Sequence, residues 1–286
     1  MRPMRSLVRA QLLLLTRWGI GSACVIAYAL CMALTVAVCL WNPGILASSL
    51  REAGVIDEGA AWLIAEGSAA GSVSITWTEA LSATIITDVG ILWFACLTVA
   101  SRAAQDFETG AIRTVLLGDG LRPRYAPAQL LASLPLVVAL FLVGTLAAPL
   151  TCALCGVTLV DAPPIEALAW LAQLALVLLA YLALVLLAVM ASKSTLISIV
   201  VALLLSFGML ENALTSLLYL VGSGGLLPQL TLGAAQAMEA GSLLAIMGTL
   251  AGGHATGPVG FVVPTVVLVA GAGAATLIMC RRELGR

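Results

Sequence analysis

The sequence predicts an all-α membrane protein with six transmembrane helices, and three observations carry that prediction. The first is composition. Of the 286 residues, 62% are hydrophobic and only 9% are charged. The resulting mean hydropathy of +1.12 implies more apolar surface than a fold in water can cover. The second is segmentation. Apolar runs able to cross a bilayer, which takes roughly 20 residues per helix, recur at about 18–41, 78–101, 126–154, 166–191, 195–221 and 258–280. They are far too long for barrel strands, and backbone groups in hydrocarbon must be satisfied within their own segment, so they read as helices. The third is the placement of basic residues. With the N-terminus in the cytoplasm, Arg2, Arg5, Arg9, Arg17, Arg102, Arg113, Arg122, Arg124, Lys193, Arg281, Arg282 and Arg286 all fall inside, and Arg51 alone falls outside. Both termini therefore read as cytoplasmic, and residues 1–286 as one membrane domain of the inner or plasma membrane.

In chain order, residues 3–16 come first. Arg2, Arg5 and Arg9 share one helical face while Met4, Leu7, Leu14 and Leu15 share the other, the pattern of a helix lying in the interface. The run at 18–41 exceeds the roughly 7 to 15 residues of a signal h-region, so it reads as an uncleaved first span. Residues 42–76 form a long outer loop with two short amphipathic stretches. Span 78–101 is interrupted only by Asp88, and residues 102–124 are the sizeable cytoplasmic connection. Span 126–154 leads through a short outer connection near Asp161 to span 166–191, and a tight inner turn at Lys193 leads to span 195–221, which carries Glu211. The external segment 222–257 is mostly apolar yet broken by Gly and by Pro228. It reads as helices that dip into the outer leaflet or pack over the bundle. Span 258–280 and a basic tail close the chain.

Residue chemistry excludes most enzyme classes. There is no G-x-x-x-x-G-K-[ST] phosphate loop, and the only lysine, Lys193, sits in a tiny turn. No His pair with a Glu stands ready for zinc, and no nucleophile is flanked by a base. His254, the single histidine, lies in a Gly-rich external stretch and reads as structural. Cys152 and Cys155 have C-x-x-C spacing, but at the apolar end of a span they read as small hydrophobes. No catalytic, cofactor or metal residue is therefore assigned, and no nucleic-acid partner is expected. The lipid bilayer is the partner that composition dictates.

Two carboxylates within spans are candidate polar residues of a translocation path, because burial of an acid in lipid costs several kcal/mol. Asp88 lies near the middle of the second span, where pairing across a helix interface is the competing role. Glu211 lies sixteen residues into the fifth, roughly 24 Å from its inner end along a straight helix. An acid at the outer interface is the simpler reading there.

The segment "FETGAIRTVLLGDGLRPRYAPAQLL" concentrates charge, Gly and Pro in a chain otherwise sparing with them. A short helix over Glu108 to Leu116, ended by the Gly-Asp-Gly at 118–120, fits its pattern. Taken alone, it is either a solvated loop or a docking surface. Lying between the second and third of six spans, it resembles the cytoplasmic segment of type-2 ABC transporter permeases, with Glu108, Gly110, Arg113 and Leu116 at the matching positions, followed by Arg122 or Arg124. The amphipathic start, the long first outer loop, the Pro228 segment and the basic tail agree with the family layout, while Gln129 stands where a Lys is common. The resemblance implies an exporter subunit whose short helix rests in a cleft of a separate ATP-binding subunit and passes its movement to the spans. It implies a second permease copy, identical or related, with the path between the two lined by the first, second and fifth spans. ATP and Mg would be bound by the partner, and the apolar path suits a hydrophobic or amphipathic cargo such as an antibiotic, antimicrobial peptide or lipid. An ion-coupled carrier using Asp88 and Glu211, or a membrane binding or immunity protein, is the alternative.

Overall fold

A computed structural model of the chain describes residues 8–11, 19–67, 73–84, 90–110, 112, 122–224, 236–237 and 241–281. The fold is helical. Four helices are long and apolar enough to cross a membrane: α1 (Ile20–Trp41), α6 (Tyr125–Leu154), α7 (Pro164–Ser192) and α11 (Val259–Arg281). Their bounds follow those expected of the first, third, fourth and sixth spans. The fifth is a bent pair, α8 (Thr195–Ser206) and α9 (Met209–Gly224), inclined at 71° to one another.

Local chemistry explains the shorter elements. Asn42 accepts a hydrogen bond from the Gly44 amide and Pro43 fills the first turn, so α2 (Pro43–Glu52) starts where α1 stops. Asp57 caps α3 (Glu58–Ala65) in the same way. The two form a hairpin closed at its exposed side by Arg51 and Glu58, 2.7 Å apart. Thr76 and Glu79 make a reciprocal capping box at the start of α4 (Trp77–Ser82). The strand β1 (Ser74–Thr76) pairs in parallel with β2 (Thr158–Val160), Ile75 opposite Leu159. That three-residue ladder is an addition to the expected all-α architecture, since it joins two loops distant in sequence.

Two expected spans are not continuous helices. Gly90 adopts a left-handed conformation, φ 59°, before α5 (Ile91–Glu108). A single helix over 78–101 is therefore not formed. The helix α5 continues past residue 101 to Glu108, so the first part of the expected loop 102–124 is helix. Gly208, φ 65°, ends the straight run of α8 and turns the chain into α9.

The centre of the bundle is α7. Its most apolar window is 61% buried, against 22% in α1 and 17% in α11. Trp170, Leu174, Val177, Tyr181, Val185 and Val189 form its packed face. α11 and α5 lie against it, and α8 packs between α5 and α7. A smaller cluster under the α2–α3 hairpin holds Cys39, Cys152 and Cys155 among Leu46, Leu50 and Ile64. No disulfide joins these cysteines, and burial raises the Cys155 thiol above its ordinary value, so they pack as hydrophobes. His254 is exposed, with Nε2 at 3.9 Å from a Glu79 carboxylate oxygen.

Candidate functional site

Two polar constellations stand out from the apolar interior. The first gathers three parts of the chain around the end of α5. Arg102 and Asp106, four residues apart on one helical face, are each 3% exposed. Arg102 donates from Nη1 to Asp106 Oδ1 at 2.7 Å and from Nη2 to Gln11 Oε1 at 3.1 Å. The second Asp106 oxygen accepts from Tyr125 OH at 2.5 Å, from Gln129 Nε2 at 3.2 Å and from Gln11 Nε2 at 3.3 Å. Gln129 also donates to Tyr125 OH at 3.1 Å. A buried charge survives only when paired and hydrogen-bonded, and this carboxylate has both. The helical turn at residues 8–11 is thereby fastened to the end of α5 and to the first turn of α6.

Arg102 is thus buried in the bundle, whereas the sequence reading placed it only at the start of a cytoplasmic connection. Asp106, Tyr125 and Gln11 were not singled out at all, and Gln129 was noted only as a departure from a family pattern. Helical spacing offered a signal. Arg102 and Asp106 are an i,i+4 ion pair, and Tyr125 and Gln129 are an i,i+4 polar pair on the next helix.

The residues expected to meet an ATPase begin just beyond this network. Glu108 is the last residue of α5 and is exposed; its carboxylate accepts a hydrogen bond from Thr195 Oγ1 at the start of α8. Gly110, φ 71°, ends the helix through the Thr109 and Gly110 amides, which return to Gln105 and Phe107. The expected helix over Glu108 to Leu116 therefore does not begin at Glu108, because α5 ends there. Arg113 and Leu116 lie outside the described residues, as does Asp88.

The second constellation surrounds Glu211 in the first turn of α9. Its Oε1 accepts from Tyr181 OH at 3.0 Å and its Oε2 from the Leu244 amide at 2.9 Å. Leu244 belongs to the first turn of α10 (Leu243–Ala251), whose Ser242 cap accepts from Ala245. At the other end of α10 the Leu250 carbonyl accepts from Trp170 Nε1 at 2.9 Å. Tyr181 and Trp170 lie on α7, so α10 runs antiparallel to it, its N-terminus at mid-bundle. The turn after α10 is clamped too: Gln173 accepts from the Thr256 amide at 2.8 Å and donates to the Thr256 and Gly257 carbonyls.

Tyr181 also gauges the depth of Glu211. It lies roughly 16 Å from the Ser192 end of α7 and roughly 26 Å from the Pro164 end. The carboxylate therefore lies beside the middle of α7, because the bend at Gly208 turns α9 away from the straight path assumed from sequence.

Comparison with protein-family models and with curated proteins gives no match. The functional reading therefore rests on these residues. The described residues contain no group of three His, Cys, Asp or Glu side chains able to hold a metal. The first constellation can transmit displacement between residues 8–11, α5 and α6 as one body; the second places a carboxylate beside a cavity at the level of the middle of α7.

Proposed function

We propose that the chain is the membrane-spanning subunit of an ATP-binding-cassette exporter of the type-2 permease class. In this reading it has six spans with both termini in the cytoplasm of a bacterial cell. It works with a separate ATP-binding subunit, which holds ATP and Mg, and with a second permease copy. The resemblance over residues 107–131 supplies the family. The observation that carries the mechanism is the Arg102–Asp106 network, which ties residues 8–11, α5 and α6 together immediately before the segment holding Glu108, Gly110, Arg113 and Leu116. A push on that segment by a moving ATPase would shift three elements in concert, because separating them would strip the buried Arg102 and Asp106 of their hydrogen bonds to Gln11, Tyr125 and Gln129.

The test is purification of the tagged chain from its native membrane. A co-purifying subunit that hydrolyses ATP is expected, and Glu108→Lys or Arg113→Glu should leave insertion intact while lowering that hydrolysis severalfold, since a like-charge contact at an interface costs about 1 to 3 kcal/mol. Thr195→Val removes the hydrogen bond to Glu108 without touching its charge and should have little effect. Full hydrolysis with both reversals would place the contact elsewhere.

The mid-bundle carboxylate of Glu211 favours one other reading, a proton-coupled carrier. Uptake or efflux driven by a pH gradient in vesicles holding this chain alone, abolished by Glu211→Gln or Asp88→Asn, would replace the ATP-driven mechanism with that one.

A further inference from the structure

We propose that the cavity between α9 and the first turn of α10 binds a protonated primary amine borne on an apolar tail, with Glu211 as its counter-ion. Naming that amine as cargo rests on the transporter reading above, whereas the binding site does not.

The cavity has a volume of about 360 Å³, and its lining includes Glu211, Asn212, Thr215, Ser216 and Tyr219 of α9 and, from the α10 side, Ser242 and Leu244. That is within the lower range of small-molecule sites. On α9 the lining residues recur at i, i+1, i+4, i+5 and i+8, so they form one helical face of polar-tipped side chains. The opposite face carries Leu210, Leu214 and Leu217, each about half exposed. A polar stripe beside the middle of α7 is costly in lipid and calls for a polar occupant of the space it faces.

Charge decides which occupant. Glu211 is only partly buried, and its two hydrogen-bond donors, Tyr181 OH and the Leu244 amide, are neutral groups. The N-terminus of α10 adds about half a positive unit at most. The ion pairs among the described residues are Arg51 with Glu58, Arg102 with Asp106, and His254 with Glu79. None reaches Glu211, so among the described residues no cation is paired with its carboxylate. Pinning α10 accounts for one edge of the carboxylate, but it does not account for Asn212 and Ser216. Their side chains line the cavity with no hydrogen bond among the described residues. They offer acceptor oxygens, and a primary ammonium presents three donors. The carboxylate and these oxygens together match an ammonium head, while the cavity is open at the helix surface and leaves an apolar tail free to remain in lipid.

The experiment is equilibrium dialysis of the purified full chain in discs of neutral phosphatidylcholine, with empty discs as background and no ATPase present. The probes are octylammonium and octanol, which share a tail and differ in head-group charge. Octylammonium is expected to bind at least tenfold more tightly than octanol. Glu211→Gln should reduce that ratio to near one, and Ser216→Trp, which fills the cavity and leaves Glu211 in place, should abolish binding of both. Equal binding of the two probes to the unaltered chain would overturn the proposal, as would an amine preference that persists in Ser216→Trp. Both results stand even if Glu211→Gln does not yield folded protein. Since no ATPase takes part, failure to find an ATPase partner would refute the exporter reading and leave the binding result untouched.

Discussion

Removing the Asp106 carboxylate should destabilise the protein more than removing the whole ion pair. In Asp106→Leu the Arg102 guanidinium stays buried, with its Nη1 contact gone and its Nε already without a partner among the described residues. Tyr125, Gln129 and Gln11 lose their shared acceptor at the same time. An uncompensated buried charge costs about 3–5 kcal/mol, a large part of a typical folding free energy of roughly 5–15 kcal/mol. Arg102→Met leaves the carboxylate with three neutral donors and should cost about 2–3 kcal/mol. Independent effects would then sum to about 5–8 kcal/mol, whereas Arg102→Met/Asp106→Leu leaves no charge behind and should cost about 2–3 kcal/mol. Reversible unfolding in mixed micelles of rising dodecyl sulfate fraction, followed by circular dichroism and tryptophan fluorescence, gives all three values. A double variant as unstable as the sum of the singles would refute the reasoning. Such additivity belongs to a solvated pair, for which coupling stays within about 1 kcal/mol.

Reporter fusions after Gly118, Lys193 and Arg286 should report cytoplasm, and fusions after Glu58 and Gly252 the exterior; a cytoplasmic signal at Glu58 would sink the six-span arrangement. Gly208→Ala should lower stability by about 1–2 kcal/mol, the cost of a left-handed residue with a side chain. Its Cβ would also stand 2.6 Å from a Leu244 methyl. Thermal unfolding of Gly208→Ala, alone and with Leu244→Ala, separates the two causes. Full rescue by Leu244→Ala would show that crowding, not backbone conformation, makes Gly208 necessary.

Class and the bounds of four long apolar helices were legible in the sequence because bilayer-length hydrophobicity is a local property. A run such as Pro164–Ser192 must be helical in lipid whatever surrounds it, since each backbone group finds its partner four residues away. Short-range punctuation is local in the same sense, although only the structure identified it here: Asn42, Asp57 and the Thr76–Glu79 box act within three residues. The sequence also exposed Glu211 as a carboxylate that an apolar helix does not carry without cause.

The surroundings of the charged groups were decided only by the tertiary structure. Arg102 sits in a stretch rich in Gln, Asp and Glu, where local composition reads as solvated loop. Its burial depends on Gln11, 91 residues away in the chain, and Asp106 depends on that same residue across 95. For Glu211, sequence position gave a distance along a straight helix, and one left-handed glycine replaced that path with a 71° bend. The carboxylate then meets Tyr181 and Leu244, thirty and thirty-three residues from it. Hydropathy sums over neighbours in the chain, whereas the stability of a buried charge depends on neighbours in space, and only the packed bundle specifies those.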